Sequence, residues 1–258
     1  MCLALIAYRT HPRYPLVLAA NRDEFHARPA QALHWWTDGI GILAGRDLQA
    51  GGTWLGMDRS GRMALVTNYR DPSSPRPQGV SRGSLVGDFL RGKPGSSEFA
   101  AAAASRAGQF SGFSLLAMDH DGLAYVTSHP EPEARMLPPG VYGLSNRELD
   151  TPWPKLLRTR DRFTAELANA DPRPSALMHM LSDRTGVADD LLPDTGVGLE
   201  WERLLSAPFI VSAAYGTRCS SVVLLRADGM VTFEERSHAT DGSAMARVRI
   251  SYRTGAPE

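Results

Sequence analysis

Residues 2–24 read CLALIAYRTHPRYPLVLAANRDE. Two apolar runs of strand-compatible residues, CLALIAY at 2–8 and PLVLAA at 15–20, flank RTHPRYP, whose prolines and polar side chains break the pattern. A hairpin folded near Pro12 pairs residues whose numbers sum to about 24, within a slip of about two. That register lays Asn21, Arg22, Asp23 and Glu24 beside Cys2, with Arg22 roughly opposite it. A thiol, a guanidinium, two carboxylates and an amide then meet at one strand end. A free α-amine joins them if the initiator methionine is removed, and cysteine is small enough at position 2 for methionine aminopeptidase to act.

The chain has 258 residues, 43% hydrophobic and 22% charged, a balance that builds a sizeable core. The polar stretch at 182–200 is no linker, and a single domain over 1–258 is expected. Lys and Arg total 28 against 28 Asp and Glu, so the formal net charge is zero. A nucleic-acid partner needs a concentrated basic excess, and none is expected here. The first apolar run ends at Arg9, far short of the roughly 20 residues that cross a bilayer, and no later run is long enough. The start also lacks the features of a secretory signal. With two cysteines, too few for a stapled secreted fold, a cytoplasmic location is expected.

Further strands are read at GILAG, GTWLGMD and RMALVTNY, then a proline-rich loop at 71–77. Helices follow at LVGDFLRG, with Ser84 as N-cap, and at SSEFAAAAASRAGQF, whose alanine run is strongly helix-forming. Strands return at GFSLLAMD and GLAYVTSH. Pro152 opens a helix over PWPKLLRTRDRFTAELANA, and PSALMHMLSD makes another. A hairpin, RCSSVVLLRADGMVTFEERS, and a last strand, MARVRISY, close the chain. Successive hairpins favour antiparallel pairing, and strands apolar on both faces belong between other layers.

An N-terminal cysteine has a specific use. Its α-amine, with an unperturbed pKa of about 7.7–8, accepts the thiol proton near neutral pH, and the thiolate attacks a carbonyl. Asp23 would hold the ammonium and a nearby arginine would favour the thiolate. The bland readings stand beside this: Cys2 as a small buried residue, NRDE as a salt-bridged strand end. Cys219 in TRCSS reads as structural. Seven scattered histidines show no ligand spacing, so no metal site and no cofactor are expected. Trp35, Trp36 and Trp54 read equally as pocket lining or as packing.

The motifs AANRDEFHARP, AGRDLQAGGTWLGM, RMALVTNYR, SRGSLVGDFL, YGLSN and YGTRCSSVVLL, with the opening MCLALIAY, resemble the NRDE family, also called the transport-and-Golgi-organisation family. The likeness runs from Cys2 to about Glu235. It implies an N-terminal-nucleophile-hydrolase-like fold: α+β, a four-layer αββα sandwich of two mainly antiparallel sheets. More distantly the chain is similar to the cysteine acylases that cleave penicillin V and conjugated bile salts. By that resemblance Cys2 is the nucleophile, Asp23 the orienting carboxylate, and Asn21 the asparagine two residues before it. Asn68 and Asn146 are the asparagines bordering oxyanion and substrate, and Arg218 is the late arginine. The acylases carry an arginine just before their asparagine, where this chain has Ala20. Its own arginine follows, at Arg22.

Two function classes follow. One is a hydrolase that cleaves an amide of a small molecule through Cys2, with Asn21, Arg22, Asp23, Asn68, Asn146 and Arg218 around it. The other is a non-catalytic binding or transfer protein for haem or an acyl thioester. The family resemblance implies for it a role in trafficking, secretory organisation or lipid metabolism.

Overall fold

Strands β1 (Leu3–Tyr8) and β2 (Leu16–Phe25) pair antiparallel, Leu3 against Asn21, Ala4 against Ala20 and Tyr8 against Leu16, so that paired numbers sum to 24 as the hairpin register requires. The computed structural model describes residues 3–38, 41–73 and 80–255. Cys2 lies outside the described residues. Alternate side chains of both strands enter different cores. Ala4, Ile6, Leu16, Leu18 and Ala20 point between two sheets, while Leu3, Leu5, Ala7, Val17 and Ala19 point into a helical layer. Burial on both faces is why these strands read as unbroken apolar runs rather than as alternating ones.

From β2 the chain leaves for a second sheet and builds it as a meander. Its strands are β3 (Ala30–Trp35), β4 (Ile42–Asp47), β5 (Leu55–Asp58), β6 (Met63–Asn68), β7 (Phe113–Met118), β8 (Leu123–Thr127) and β9 (Glu133–Leu137), in that spatial order. It then returns to the first sheet with β10 (Gly140–Leu144) beside β1. Strands β11 (Tyr215–Leu225), β12 (Met230–His238) and β13 (Ala244–Arg253) complete the order β10-β1-β2-β11-β12-β13. All pairings are antiparallel. Helices α1 (Gly83–Arg91) and α2 (Ser96–Ser105) cover the outer face of the seven-stranded sheet. Helices α3 (Pro154–Leu167) and α4 (Pro174–Leu181) cover the six-stranded one. The layers are αββα, with one apolar core in each of the three gaps. Among the described residues no helix is long and apolar enough to cross a membrane.

Several elements depart from the sequence reading. Helix α1 starts at Gly83, with Arg82 at the N-cap position and no side-chain cap. Ser84 is already inside the helix, and its hydroxyl makes no hydrogen bond. Thr53 and Gly83 meet through a main-chain bond, Thr53 N to Gly83 O at 3.2 Å, which sets the helix start from outside. Helix α3 begins at Pro154 with Trp153 as N-cap, two residues past Pro152. Strands β3, β9 and β10 were not expected. All three are sheet edges, and β10 is also short and contains glycine, positions where burial imposes only a weak pattern. A short helix, α5 (Leu199–Leu205), rises at the end of the polar stretch at 182–200.

One close approach in this frame is testable. A Cβ on Gly52 would lie 2.5 Å from the main-chain carbon of Gly83, whereas one on Gly108 would meet nothing within 4 Å. Gly52→Ala should lower unfolding stability by about 1–3 kcal/mol, because backbone rather than a flexible side chain must yield. Gly108→Ala should change it by less than about 0.5 kcal/mol in the same denaturant titration.

Candidate functional site

At one end of the sandwich four strand ends of the six-stranded sheet come together: the start of β1, the end of β2, the end of β10 and the start of β11. The end of β6 and the start of β7 face them from the other sheet, Asn68 pairing with Phe113. A cleft of about 710 Å³ opens there. Glu24, Phe25, Arg28 and Tyr215 line one side of it, Asn68, Tyr69, Arg70, Arg82, Gly112 and Asn146 another, and Gly196, Val197, Trp201 and Leu205 a third.

The last residues of β2 are polar and buried. Asp23 is 2% exposed and accepts a 2.6 Å bond from the Thr217 hydroxyl, whose oxygen in turn accepts from Ile210 N at 2.9 Å. Arg22 is 4% exposed. Its guanidinium lies 4.3 Å from the centre of the Trp54 ring and 4.0 Å from Glu24, and its Nη1 makes no hydrogen bond among the described residues. A guanidinium held against an aromatic face and short of acceptors keeps donor capacity for an oxyanion or thiolate. Cys219 pairs across from Arg22 on β11 and is buried, which pushes its thiol well above the ordinary range. Burial likewise raises Glu235, which accepts from Leu33 N at 2.8 Å. Such a Cys219 is inert toward nucleophilic chemistry at neutral pH.

Asn21 is fully buried and wholly engaged. Its Nδ2 donates to the carbonyls of Leu181 at 2.9 Å and Pro208 at 2.8 Å, and its Oδ1 accepts from Ser220 Oγ at 2.7 Å. Leu181 ends α4, and Pro208 leads back toward β11. Asn21 therefore clasps both feet of the strap 182–207, which carries the Val197, Trp201 and Leu205 wall of the cleft. Arg70 reaches the same strap at Glu202, Nη1 to Oε2 at 3.0 Å. Lys155 Nζ donates to Leu205 O at 2.7 Å. Beyond Asn21, Ser220 Oγ lies 3.0 Å from Nε2 of His238, whose pKa is held at about 4, chiefly by burial and next by Arg236 and Arg184.

Asn68 and Asn146 come together in the cleft: Asn146 Nδ2 donates to Asn68 O at 3.2 Å, and Arg70 N donates to Asn146 O at 2.7 Å, stitching the two sheets. Arg218 does not line it. A register shift between Thr217 and Cys219 turns Arg218 back, and its Nη1 donates to the carbonyls of Phe25, His26 and Arg28 at 3.0–3.2 Å. It buttresses the turn that presents Phe25 and Arg28. Trp36 and Trp54 pack in cores, and Trp35 packs against Tyr252 and Arg59, so none of the three lines the cleft. The aromatic wall is Phe25, Trp201 and Tyr215, in mutual edge contact at 5.2–6.3 Å. Sequence reasoning missed it. The signal for Phe25 was its place directly after NRDE; Trp201 sits in a stretch with no pattern to mark it.

Two outcomes follow from the clasp. Asn21→Ala leaves two strap carbonyls without their donor and should cost about 1–3 kcal/mol. Hydrogen exchange should accelerate first within 182–207. His238 binds its proton less well folded than unfolded, where its ordinary value is 6.5. The stability it contributes is complete above pH 6.5 and is lost as pH falls from there through about 4. Thermal melts from pH 7 to 4 should therefore show a shallower fall for His238→Gln than for the parent.

Residues 1–240 match the family described as Transport and Golgi organisation 2. A Transport and Golgi organization 2 homolog of Mus musculus is 34% identical over 257 residues, covering 92% of this chain and 93% of the relative. The Drosophila melanogaster protein of that name is 26% identical with 92% of each chain covered. Among solved structures, a mutant conjugated bile acid hydrolase from Clostridium perfringens superposes with a TM-score of 0.53 at 9% identity, covering 98% of this chain and 97% of that one. An N-acylethanolamine-hydrolyzing acid amidase ortholog from Caenorhabditis elegans gives 0.50 at 12%, covering 86% and 92%. At such identities the likeness is one of fold, and the αββα sandwich is the N-terminal-nucleophile hydrolase fold. By its sequence this chain belongs to the Transport and Golgi organisation 2 family.

Proposed function

We propose that the chain is an N-terminal-cysteine hydrolase cleaving an amide of a small molecule. The observation that carries this reading is the β1–β2 register. It sets Leu3, the residue bonded to Cys2, against Asn21, next to a buried Arg22 and a buried Asp23 at the cleft end of β2. With Met1 removed, the α-amine of Cys2 takes the thiol proton, and Asp23 holds the resulting ammonium. The thiolate attacks the amide carbonyl carbon, and Arg22 offsets the charge that develops. The C–N bond breaks as the amine leaves with the proton, and water then hydrolyses the thioester to release the acid and restore the thiol.

A second reading, binding or transfer of haem or an acyl thioester without turnover, draws support from the size of the cleft and its aromatic wall. One experiment separates the two. Cys2→Ser should slow hydrolysis of a secondary-amide panel about a hundredfold or more while ligand binding persists, since the hydroxyl is the weaker nucleophile. An alanine inserted ahead of Cys2 displaces the amine and keeps the thiol; turnover should fall about 10²–10⁴-fold. Undiminished turnover by both variants would exclude chemistry through Cys2. Intact mass spectrometry after iodoacetamide should show one label, on a chain lacking Met1, with buried Cys219 unmodified.

A further inference from the structure

Asn146 lines the cleft, is 5% exposed, and holds a left-handed backbone at φ 58°. Its amide is oriented by Asn68: at 3.2 Å from a carbonyl oxygen only the nitrogen end is tolerated, since two oxygens there would repel. Its Oδ1 is therefore the other end, buried at the cleft and without a hydrogen-bond partner among the described residues. Buried acceptors in folded proteins nearly always have a donor, and an exception beside a cleft is explained by a donor that arrives with a ligand. The arginines of the cleft are already engaged. Arg28 is paired with Asp47 at 2.7 Å, Arg70 with Glu202, and Arg82 donates to Gly112 O at 2.9 Å. That leaves little to attract an anion, and the Phe25, Trp201 and Tyr215 wall offers apolar contact instead.

We infer that Asn146 is a ligand-binding residue whose Oδ1 accepts the N–H of the bound molecule. The cleft thereby selects neutral secondary amides with an apolar substituent over isosteres that lack the N–H. This rests on the amide-site reading above and deepens it. It also gives Asn146, which resemblance sets at the border of oxyanion and substrate, a definite part: its Oδ1 takes the leaving nitrogen's N–H.

The test is a binding measurement. The probes are the benzylamide of naphthylacetic acid and the ketone in which a methylene replaces its N–H. Both are titrated calorimetrically into the full chain carrying Cys2→Ala, so no turnover intervenes. The amide should bind about tenfold tighter than the ketone, the worth of one buried hydrogen bond. Asn146→Gly, which takes a positive φ without strain, should bring the two probes within about twofold. Asn146→Asp, which sets an oxygen against Asn68 O and so loses the orienting bond, is not a conservative control; Asn146→Ala removes the acceptor and should also lose the preference. Equal affinities in the parent, no binding of either probe, or a preference surviving in Asn146→Gly would overturn the inference. Should the glycine variant fail to fold, a preference surviving in Asn146→Ala would overturn it too. The result is independent of Cys2 chemistry: a chain that never hydrolyses an amide can still show the N–H preference, and a hydrolase can lack it.

Discussion

Strand β2 ends in side chains that cost free energy to bury, and the rest of the site follows from how that cost is offset. An amide, a guanidinium and a carboxylate in succession cannot stay buried at a strand end without partners. Each finds one in a different part of the chain. Asn21 takes the two feet of the strap, Arg22 lies against Trp54 from the second sheet, and Asp23 meets Thr217 on β11. The alternation of a β-strand sends Arg22 to one face and Asn21 and Asp23 to the other, so a single tetrapeptide ties helix layer, inner core and adjacent strand to one point.

The electrostatic result is a cleft that is polar but nearly neutral. Its arginines are held by Asp47, Glu202 and main-chain oxygens rather than turned outward. The carboxyl group between the sheets, Glu235, is biased by burial toward its neutral form, as Cys219 is toward the thiol. The wall of aromatic edges then dominates contact with whatever enters.

The hairpin register, the antiparallel order and the two-faced strands could be read from residues 2–24 because each is set by local pattern. Long apolar runs bounded by prolines admit few pairings. Strands β3 and β9 were hidden because sheet edges bury little. Helix α5 was hidden because its seven residues make less than two turns, too short for the apolar spacing of Trp201, Leu204 and Leu205 to stand out. The gathering of Asn68 with Asn146 was legible as motif. The placement of Arg218 was not, since the register shift beside it reverses the direction of its side chain and leaves no trace in composition. Asn21 looked like chemistry in the sequence and is a clasp in the fold. An amide that satisfies two carbonyls 27 residues apart in the chain cannot be recognised before those carbonyls have positions.

The two neighbours of β2 also differ in when they exist. β1 is its immediate predecessor, while β11 begins at Tyr215, and the bond from Thr217 to Asp23 joins residues 194 apart in sequence. During synthesis the first hairpin therefore leaves the ribosome with both edges unpaired, and the β2 edge waits the longer for its partner. That edge stays open while the whole seven-stranded meander, β10 and helices α1 to α5 are made. The tetrapeptide that organises the site spends that interval exposed, its polar side chains solvated, and the cleft closes only as one of the last acts of folding. Loss of the final three strands, β11, β12 and β13, would leave a nascent chain with a folded second sheet and an open edge at β2, a species that chaperones would hold and proteases would find first at NRDE.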